Sequence, residues 1–233
     1  MPNNLCYHCK KEKDIKQYGS YWMCHGCLMW LRKLKVELIN EICLEYAKMK
    51  FENFIVGKNE VTVKKCKEFA DGKSNAFALF LHSKTSGNGK THLGISILKH
   101  WLLNTWTPVF TNSVIVERMF QIVTEPDLFL EIRRSFSQDS ELNEADITDK
   151  YSKVEFLLVD DVGKYNASDA AFLQRVWYNI INDRWLNHRL TVITSNKSGA
   201  EIQSYLGDYS FDRICGMTQN KVIEVGGESQ RRK

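Results

Sequence analysis

The segment Ser83–Leu93 constrains the fold more than any other part of this sequence. It reads SKTSGNGKTHL, follows the apolar run Ala76–Leu81 and leads into the helical pattern Leu93–Leu103. A strand, a glycine-containing loop and a helix N-terminus form a phosphate cradle, because backbone N–H groups and the helix dipole face the anion. Lys90 stands where a lysine reaches the terminal phosphates, and Thr91 stands where a hydroxyl ligates Mg²⁺. The segment therefore predicts an α/β domain that binds a nucleotide.

The loop departs from the usual P-loop pattern at one position. That pattern has glycine six residues before the lysine, where this chain has Lys84. A side chain is tolerated there if the backbone avoids positive φ. A glycine-rich turn with an unrelated GKT is the alternative interpretation of so short a motif. The residues predicted to bind the nucleotide from this loop are Ser86, Gly87, Asn88, Gly89, Lys90, Thr91 and His92.

Two later apolar runs end in the polar groups that a P-loop ATPase needs. Val154–Asp161 reads VEFLLVDD, and we predict that Asp160 binds Mg²⁺, directly or through water, while Asp161 polarises the attacking water. Asp161 is shorter than the glutamate common at this place, which predicts slow hydrolysis. Leu190–Asn196 reads LTVITSN, and the amide of Asn196 is suited to contact the γ-phosphate or the water. Three such motifs in this order favour an ATP site with Mg²⁺ over three unrelated core strands.

The cysteines near the N-terminus indicate a second site. Two CxxC turns with fourteen residues between them place four thiolates around a tetrahedral Zn²⁺. Disulfides are the rival interpretation, which a cytosolic chain disfavours. A Cys₃His set with His8 or His25 is a further alternative, although four cysteines is the simpler choice. So short a segment cannot bury enough core to fold unaided, so the metal would stabilise it. The predicted zinc ligands are Cys6, Cys9, Cys24 and Cys27.

Composition excludes a membrane protein and leaves the partners open. The mean hydropathy is −0.35, and the longest apolar runs are at most about eight residues, too short to span a bilayer. No signal sequence opens the chain, so we expect a cytoplasmic protein without a membrane partner. The net charge of +4 permits contact with nucleic acid without requiring it. Aromatic and lysine residues around the cysteines suit single-stranded DNA, a protein interface or a small core.

Periodicity predicts the remaining organisation. The run Leu28–Met49 contains no glycine or proline and reads as an amphipathic helix, which either binds a partner or packs on its own domain. Asp169–Arg189 is the clearest helix further along the chain. Apolar runs that alternate with helical patterns predict a central parallel sheet. Its expected strands are Ala76–Leu81, Pro108–Asn112, Val154–Asp160, Leu190–Thr194 and, less regularly patterned, Lys221–Val225.

The order of these motifs resembles a known family. FENF before the core, GNGKTHL in the loop, LLVDDVGKYNASD at the acidic strand and TVITSN after it are similar to the bacterial and phage replicative-helicase loaders of the DnaC/DnaI type. These loaders are AAA+ ATPases, and one branch carries an N-terminal zinc-binding segment. The resemblance runs from about Phe51 to Arg231. It implies an AAA+ three-layer domain over residues 51–233. The cysteine spacing predicts a zinc ribbon over 1–27 before it, and the helical pattern predicts a linker over 28–50.

The resemblance also implies roles for three arginines and for an inserted segment. Arg213 matches the position of the arginine finger that completes the ATP site of a neighbouring subunit. Arg184 matches a position at the subunit junction, and Arg231 matches the second sensor. A surface arginine paired with a carboxylate is the alternative in each case. Glu125–Ser152 matches an inserted helical element that lines a channel for single-stranded DNA, although it also carries several acidic residues and a solvated hairpin is the alternative. Its candidate phosphate contacts are Arg133, Arg134, Ser137 and the adjoining Lys153.

The function implied is an ATP-dependent loader that binds a hexameric replicative DNA helicase and places it on single-stranded DNA. Self-association is a further expectation, because the finger arginine acts on a neighbour. One alternative is the helper ATPase of a transposase, which has the same fold but no expected zinc ribbon. Another is a zinc-containing binding module on a P-loop that does not hydrolyse ATP, an idea motivated by Lys84.

Overall fold

The computed structural model describes residues 5–6, 9–11, 14–18, 21–104, 119–137, 139–166 and 169–230. Three predictions fall outside these residues: the strand Pro108–Asn112, the sensor Arg231 and the alternative zinc ligand His8.

A short hairpin and two helices form the N-terminal part. They are β1 (Ile15–Tyr18), β2 (Tyr21–Cys24), α1 (His25–Ile42) and α2 (Leu44–Lys48), followed by a single 3₁₀ turn, Phe51–Asn53. The two strands are antiparallel, and α1 begins directly after β2. Cys43 has extended backbone, with φ of −155°, and separates the two helices. The prediction of one continuous helix over Leu28–Met49 is therefore wrong at this residue.

Five parallel strands form the central sheet of the larger domain. They are β3 (Ala78–His82), β4 (Phe120–Thr124), β5 (Phe156–Val162), β6 (Leu190–Ser195) and β7 (Val222–Glu224). Their order across the sheet is β4-β5-β6-β3-β7, and every pair of neighbours is parallel. The central strands are near-continuous apolar runs because both of their faces are covered. The carboxyl ends of β3, β5 and β6 meet at one edge, where ligands bind in sheets of this kind.

Helices cover both faces of this sheet. They are α3 (Glu60–Ala70), α4 (Lys90–Asn104), α5 (Glu125–Arg134), α6 (Glu144–Ser152), α7 (Ala170–Leu186), α8 (Gly199–Leu206) and α9 (Asp208–Thr218). Successive residues of a strand point to opposite faces. Leu79 and Leu81 accordingly pack with α3 and α4, whereas Ala78 and Phe80 pack with α5 to α9. The result is the predicted three-layer α/β sandwich.

The linker helices pack on the larger domain. Ile39 of α1 is completely buried in the cluster that contains α3 and α4, and Tyr46 and Met49 pack against the same cluster. Lys99 of α4 donates to the carbonyls of Tyr46 and Ala47, which are among the last of α2, and burial lowers its pKa to about 8. Of the two alternatives for this helical segment, partner binding and packing on its own domain, the described contacts match the second. Four side chains of the predicted apolar face lie outside those described, namely Leu31, Leu34, Leu38 and Ile42.

The sequence analysis does not predict β4. The predicted bounds of the other four strands of the sheet agree with the observed bounds to within a few residues. β4 lies at the sheet edge, and its sequence FQIVT follows Arg118 and Met119 without any turn residue. Glycine, proline and asparagine are the residues that normally delimit a short strand in sequence. Without them, the sequence does not distinguish a run of five residues from a helix, and within the described residues the pairing with β5 is what defines β4 as a strand.

Arg184 is a structural residue of the sandwich. Its side chain has no exposed surface, and its guanidinium donates to the carbonyls of Tyr151, Val154 and Leu190 and to the hydroxyl of Thr191. These bonds tie the end of α6 to the starts of β5 and β6. Burial lowers the pKa of Arg184 to about 9. A completely buried side chain cannot contact a nucleotide or a neighbouring subunit, so the role predicted for Arg184 is wrong.

Replacing Arg184 with methionine is expected to destabilise the protein strongly. The substitution leaves several buried carbonyls without a donor, and each unsatisfied group costs about 1–3 kcal/mol, so we expect a loss of about 3 kcal/mol or more in the free energy of unfolding. Urea unfolding measures it. Arg175→Met on the same helix is the control, because Arg175 forms an exposed pair with Glu144, and such pairs contribute about 1 kcal/mol or less. Equal losses in the two variants would contradict the assignment.

Candidate nucleotide-binding site

The glycine-containing loop has the backbone that a phosphate cradle requires. Gly87 and Gly89 have positive φ, at 78° and 101°, and α4 begins at Lys90. A Cβ added to Gly89 would lie 2.6 Å from the ring of Phe54, so only glycine fits there. Lys84 is not among the described residues with positive φ. The departure at Lys84 therefore leaves the loop geometry intact, which was the condition for tolerating a side chain.

Asn88 and Lys90 fix the loop from within. Asn88 is 4% exposed and donates to the hydroxyl of Ser83 and to the carbonyl of Val225, which joins the loop to the end of β7. The ammonium of Lys90 lies 3.1 Å from the carbonyl of Thr85 and 3.3 Å from the side-chain oxygen of Asn88. Lys90 is thus held over the loop, where a bound phosphate would lie.

Thr91 and Asp160 meet as predicted for a magnesium site. The Thr91 hydroxyl lies 2.8 Å from one carboxylate oxygen of Asp160, and the Thr194 hydroxyl donates to the other. Burial raises the pKa of Asp160, the hydrogen bond from Thr194 opposes this, and the charge of Asp161 adds to it. Mg²⁺ prefers hydroxyl and carboxylate oxygens and would offset the cost of a buried charge. These residues fit the ion.

Asp161 lies on a bulge at the end of β5. The pairing of β5 with β6 shifts register between Val159 and Val162, and Asp161 has φ of +61°, in the left-handed region. Its N–H donates to the Thr194 hydroxyl at 3.0 Å, and its carboxylate pairs with Lys164. The bulge places Asp160 and Asp161 in different surroundings, because the first contacts Thr91 and the second lines the open cleft.

Asn196 provides an unsatisfied acceptor at the wall of the cleft. Its side-chain oxygen is buried and has no partner among the described residues. A buried amide oxygen without a partner costs free energy, unless a molecule in the cleft donates to it. A water molecule beside the γ-phosphate is such a donor. The amide therefore fits the predicted role of orienting the attacking water.

All seven predicted loop residues line one cleft of about 310 Å³, together with Asp161 and Asn196. The opposite wall comes from the end of the linker and the residues just after it, and the sequence analysis does not identify it as part of the site. The only signal was the phrase FENF, to which no role was assigned. The cleft residues that the sequence missed are Glu45, Met49, Asn53, Phe54, Ile55, Lys164 and Gln230. Met49, Phe54 and Ile55 give that wall an apolar side suited to a base.

The model of the IstB-like ATP-binding proteins matches residues 45–233, well over half of the sequence. This chain belongs to that family. The replicative helicase loader DnaC of Buchnera aphidicola subsp. Schizaphis graminum is 26% identical over 172 residues, which are 72% of this chain and 64% of that protein. The chromosomal replication initiator DnaA of Onion yellows phytoplasma is 29% identical over 68% of this chain and 29% of that protein. The chain spans less than two thirds of the length of these relatives.

Solved structures show the same fold. The crystal structure of the DnaC helicase loader superposes with a TM-score of 0.62 at 19% identity, over 79% of this chain and 100% of that one. The crystal structure of DnaI gives 0.58 at 20% identity, over 80% and 93% of the two chains. This IstB-like protein therefore has the P-loop AAA+ fold, as the sequence predicted. None of the helices in the described residues is both long and apolar enough to cross a bilayer.

Arg213 of this IstB-like protein lies outside its own cleft. It belongs to α9, donates to the side-chain oxygen of Asn182 at 2.8 Å and lies 4.7 Å from the ring centroid of Tyr178. It does not line the cleft formed by its own loop. An arginine in this position reaches a nucleotide only on another molecule, so its predicted role as a finger stays a prediction.

The four N-terminal cysteines come together. Their sulfur atoms all lie within 4.8 Å of one another, and those of Cys9 and Cys24 are 3.9 Å apart. A tetrahedral site with Zn–S bonds of about 2.3 Å spaces its sulfurs about 3.8 Å apart. The N–H of Cys24 donates to the sulfur of Cys6, which orients that ligand. His25 is exposed and is not part of the cluster. The four sulfurs fit Zn²⁺.

The predicted DNA-binding element consists of α5 and α6 and the turn between them. The guanidinium of Arg133 lies 5.3 Å from the ring centroid of Tyr165, and Lys153 pairs with Asp149 one turn earlier. Arg134 is the exposed last residue of α5, and the hydroxyl of the exposed Ser137, in the turn that follows, donates to the carbonyl of Arg134. The element is helical as predicted, and its contact with DNA stays a prediction.

Proposed function

We propose that this protein is an ATP-dependent loader that binds a hexameric replicative helicase and delivers it to single-stranded DNA. ATP binding sets its affinity for both partners, and slow hydrolysis releases it. In this proposal residues 1–27 bind Zn²⁺, residues 28–50 link that segment to the rest, and residues 51–233 bind and hydrolyse ATP. The protein works in the cytoplasm, where a replicative helicase acts.

The cleft residues divide the chemistry between them. Lys90 and the N-terminus of α4 neutralise the terminal phosphates, while Thr91 and Asp160 hold Mg²⁺. Asp161 accepts a proton from the attacking water, which Asn196 orients. The shorter side chain of Asp161 makes hydrolysis slow. The bound metal stabilises the charge on the phosphates.

The observation that carries the proposal is the second wall of the cleft. Met49 and Phe54 lie between the zinc-binding segment and the P-loop in sequence, and both line the cleft. His92, one residue after Thr91, also contacts the carbonyl of Lys50 at 2.8 Å. A nucleotide bound in the cleft touches the linker, so its presence changes the position of the N-terminal segment. A loader needs this coupling, because its output is a conformational state rather than a product.

A neighbouring copy and single-stranded DNA contact different surfaces of the protein. Arg213 completes the ATP site of a neighbouring copy, so hydrolysis requires self-association, and Arg231 serves as the second sensor arginine. Single-stranded DNA binds along α5 at Arg133, Arg134 and Ser137, and at Lys153 beyond α6. The resemblance assigns roles to one arginine on α7 and one on α9. Arg184 on α7 is buried, and Arg213 on α9 is more exposed.

A second candidate function is that of a helper ATPase for a transposase. The family description, IstB-like ATP-binding protein, is wider than helicase loading and favours keeping this candidate. The four-cysteine cluster weighs against it, because no zinc-binding segment is expected in such a helper.

The test is a pull-down of the host replicative helicase by the purified protein with ATP, with ADP and without nucleotide. We expect binding that changes with the nucleotide and is altered in Lys90→Ala and Arg213→Ala. Lys84→Ala is the matched control, since this exposed lysine lies in the same loop and is expected to leave binding unchanged. Absence of helicase binding with intact ATPase activity would contradict the loader function and favour the transposition helper.

A further inference from the structure

Glu125 carries a buried carboxylate that takes no part in lining the cleft. It is the first residue of α5, directly after β4, and its side chain has no exposed surface. Burial raises its pKa, and hydrogen bonds from two backbone N–H groups and two side chains oppose that rise. A carboxylate is kept in such a place only if the groups around it need an acceptor.

The carboxylate holds the loop that follows the acidic strand. One oxygen accepts the N–H of Gly163 at 2.7 Å and the N–H of Tyr165 at 3.1 Å. The other oxygen accepts the indole N–H of Trp177 at 3.0 Å. The Tyr205 hydroxyl lies 3.0 Å from the first oxygen. Four groups from the loop, α7 and α8 thus converge on a single residue of α5.

The loop held in this way also carries the group that pairs with Asp161. Lys164 lies between the two residues whose N–H groups bind Glu125, and its ammonium contacts the carboxylate of Asp161. Asp161 has left-handed backbone, a strained conformation that persists only when contacts on both sides maintain it. Thr194 accepts the N–H of Asp161 on one side, and Glu125 accepts the N–H of Gly163 on the other.

We propose that Glu125 is a positioning residue for ATP hydrolysis, which holds Gly163–Tyr165 so that Asp161, paired with Lys164, keeps the position from which it accepts a proton from the attacking water. The inference rests on the hydrolysis part of the proposed function and not on the helicase. Glu125 does not touch the nucleotide, and its effect on the rate passes through the loop. A misplacement of about 1 Å at the reacting groups costs about 100-fold in rate.

Glu125→Gln tests this inference with little change in shape. Glutamine offers one acceptor where the carboxylate offers two, and its NH₂ group faces the loop or the indole as a donor. We expect kcat for ATP to fall about tenfold or more, while KM and the affinity for ATP stay within about threefold. Trp177→Phe is the control, because it removes the donor on the other oxygen and leaves both loop contacts. Its kcat should stay within about twofold even though its melting temperature falls.

A second variant approaches the same loop from its outer side. Gly163 has φ of +89°, a conformation that residues with a side chain rarely adopt, so Gly163→Ala strains the loop backbone while Glu125 stays intact. We expect the same fall in kcat with KM preserved, and this variant decides the question if Glu125→Gln does not fold. A wild-type kcat in either folded variant would overturn the inference. So would a fall in the kcat of Trp177→Phe as large as the fall in Glu125→Gln. A protein that hydrolyses ATP but does not bind helicase would contradict the loader function alone.

Discussion

Replacing Lys90 with alanine is expected to reduce ATP hydrolysis by about 100-fold or more, the largest effect of any substitution in the cleft. Lys90 as a whole is only 5% exposed, and its ammonium is held above the loop by the carbonyl of Thr85 and the side chain of Asn88. It is therefore already positioned for the terminal phosphates, and its charge acts where negative charge develops during transfer. Steady-state release of phosphate measures the rate, and a fluorescent ATP analogue measures the affinity.

The matched control for this experiment is Lys84→Ala. Lys84 is an exposed lysine of the same loop, so its removal changes the net charge equally without touching the phosphate position. Its rate should stay within about twofold of wild type, which separates a specific contact from general electrostatic attraction. A Lys90→Ala protein that retains more than a tenth of the wild-type rate would contradict the assignment. A wild-type protein without activity would support the non-hydrolysing binding module instead.

Cys24→Ala is expected to abolish zinc binding and with it the folded structure of the N-terminal segment. Cys24 is 5% exposed and lies 3.9 Å from Cys9, sulfur to sulfur, within the cluster of four. Structural zinc contributes about 10–16 kcal/mol in small zinc domains, far more than the few apolar side chains of this hairpin supply. Zinc content should fall from about one equivalent to none, and limited proteolysis should cut the chain before α1.

Cys43→Ala is the control for zinc, because Cys43 is a partly buried cysteine that lies outside the cluster. It should keep its zinc and its resistance to proteolysis. The rate of ATP hydrolysis should change little in either variant, because the described walls of the cleft begin at Glu45. Zinc retained in Cys24→Ala, or lost in Cys43→Ala, would contradict the proposed site.

The sequence was sufficient to predict those parts of the site that are formed by residues close together in the chain. The cradle around Lys90 and Thr91 is a local motif, and Asp160 and Asn196 each follow an apolar strand whose end is visible in the sequence. Parallel strands bring such ends to one edge, so the meeting of Thr91 with Asp160 follows from local patterns alone. The four cysteines are predictable for the same reason, because two short turns carry all of the ligands.

The parts that were not predicted depend on contacts between distant segments. The residues next to Arg184 in the sequence do not indicate whether its side chain is exposed or buried. Its burial depends on the carbonyls of Tyr151, Val154 and Leu190, to which it donates. Glu125 lies about forty residues before the loop that it holds. Phe54 reaches the cleft through tertiary packing against Gly89. Propensity and periodicity carry no information about such pairs.

The buried ammonium of Lys99 determines where this chain can be divided. A shortened protein that begins at Phe51, the boundary that motif matching favours, would lack the carbonyls of Tyr46 and Ala47 to which Lys99 donates. It would also lose the part of the cleft wall that Glu45 and Met49 provide. The family match begins at residue 45, just beyond the extended backbone of Cys43. The helix α2 therefore packs as part of the ATP-binding unit, and Ile39 of α1 is buried in the same cluster. A shortened protein that keeps this unit intact must retain both helices.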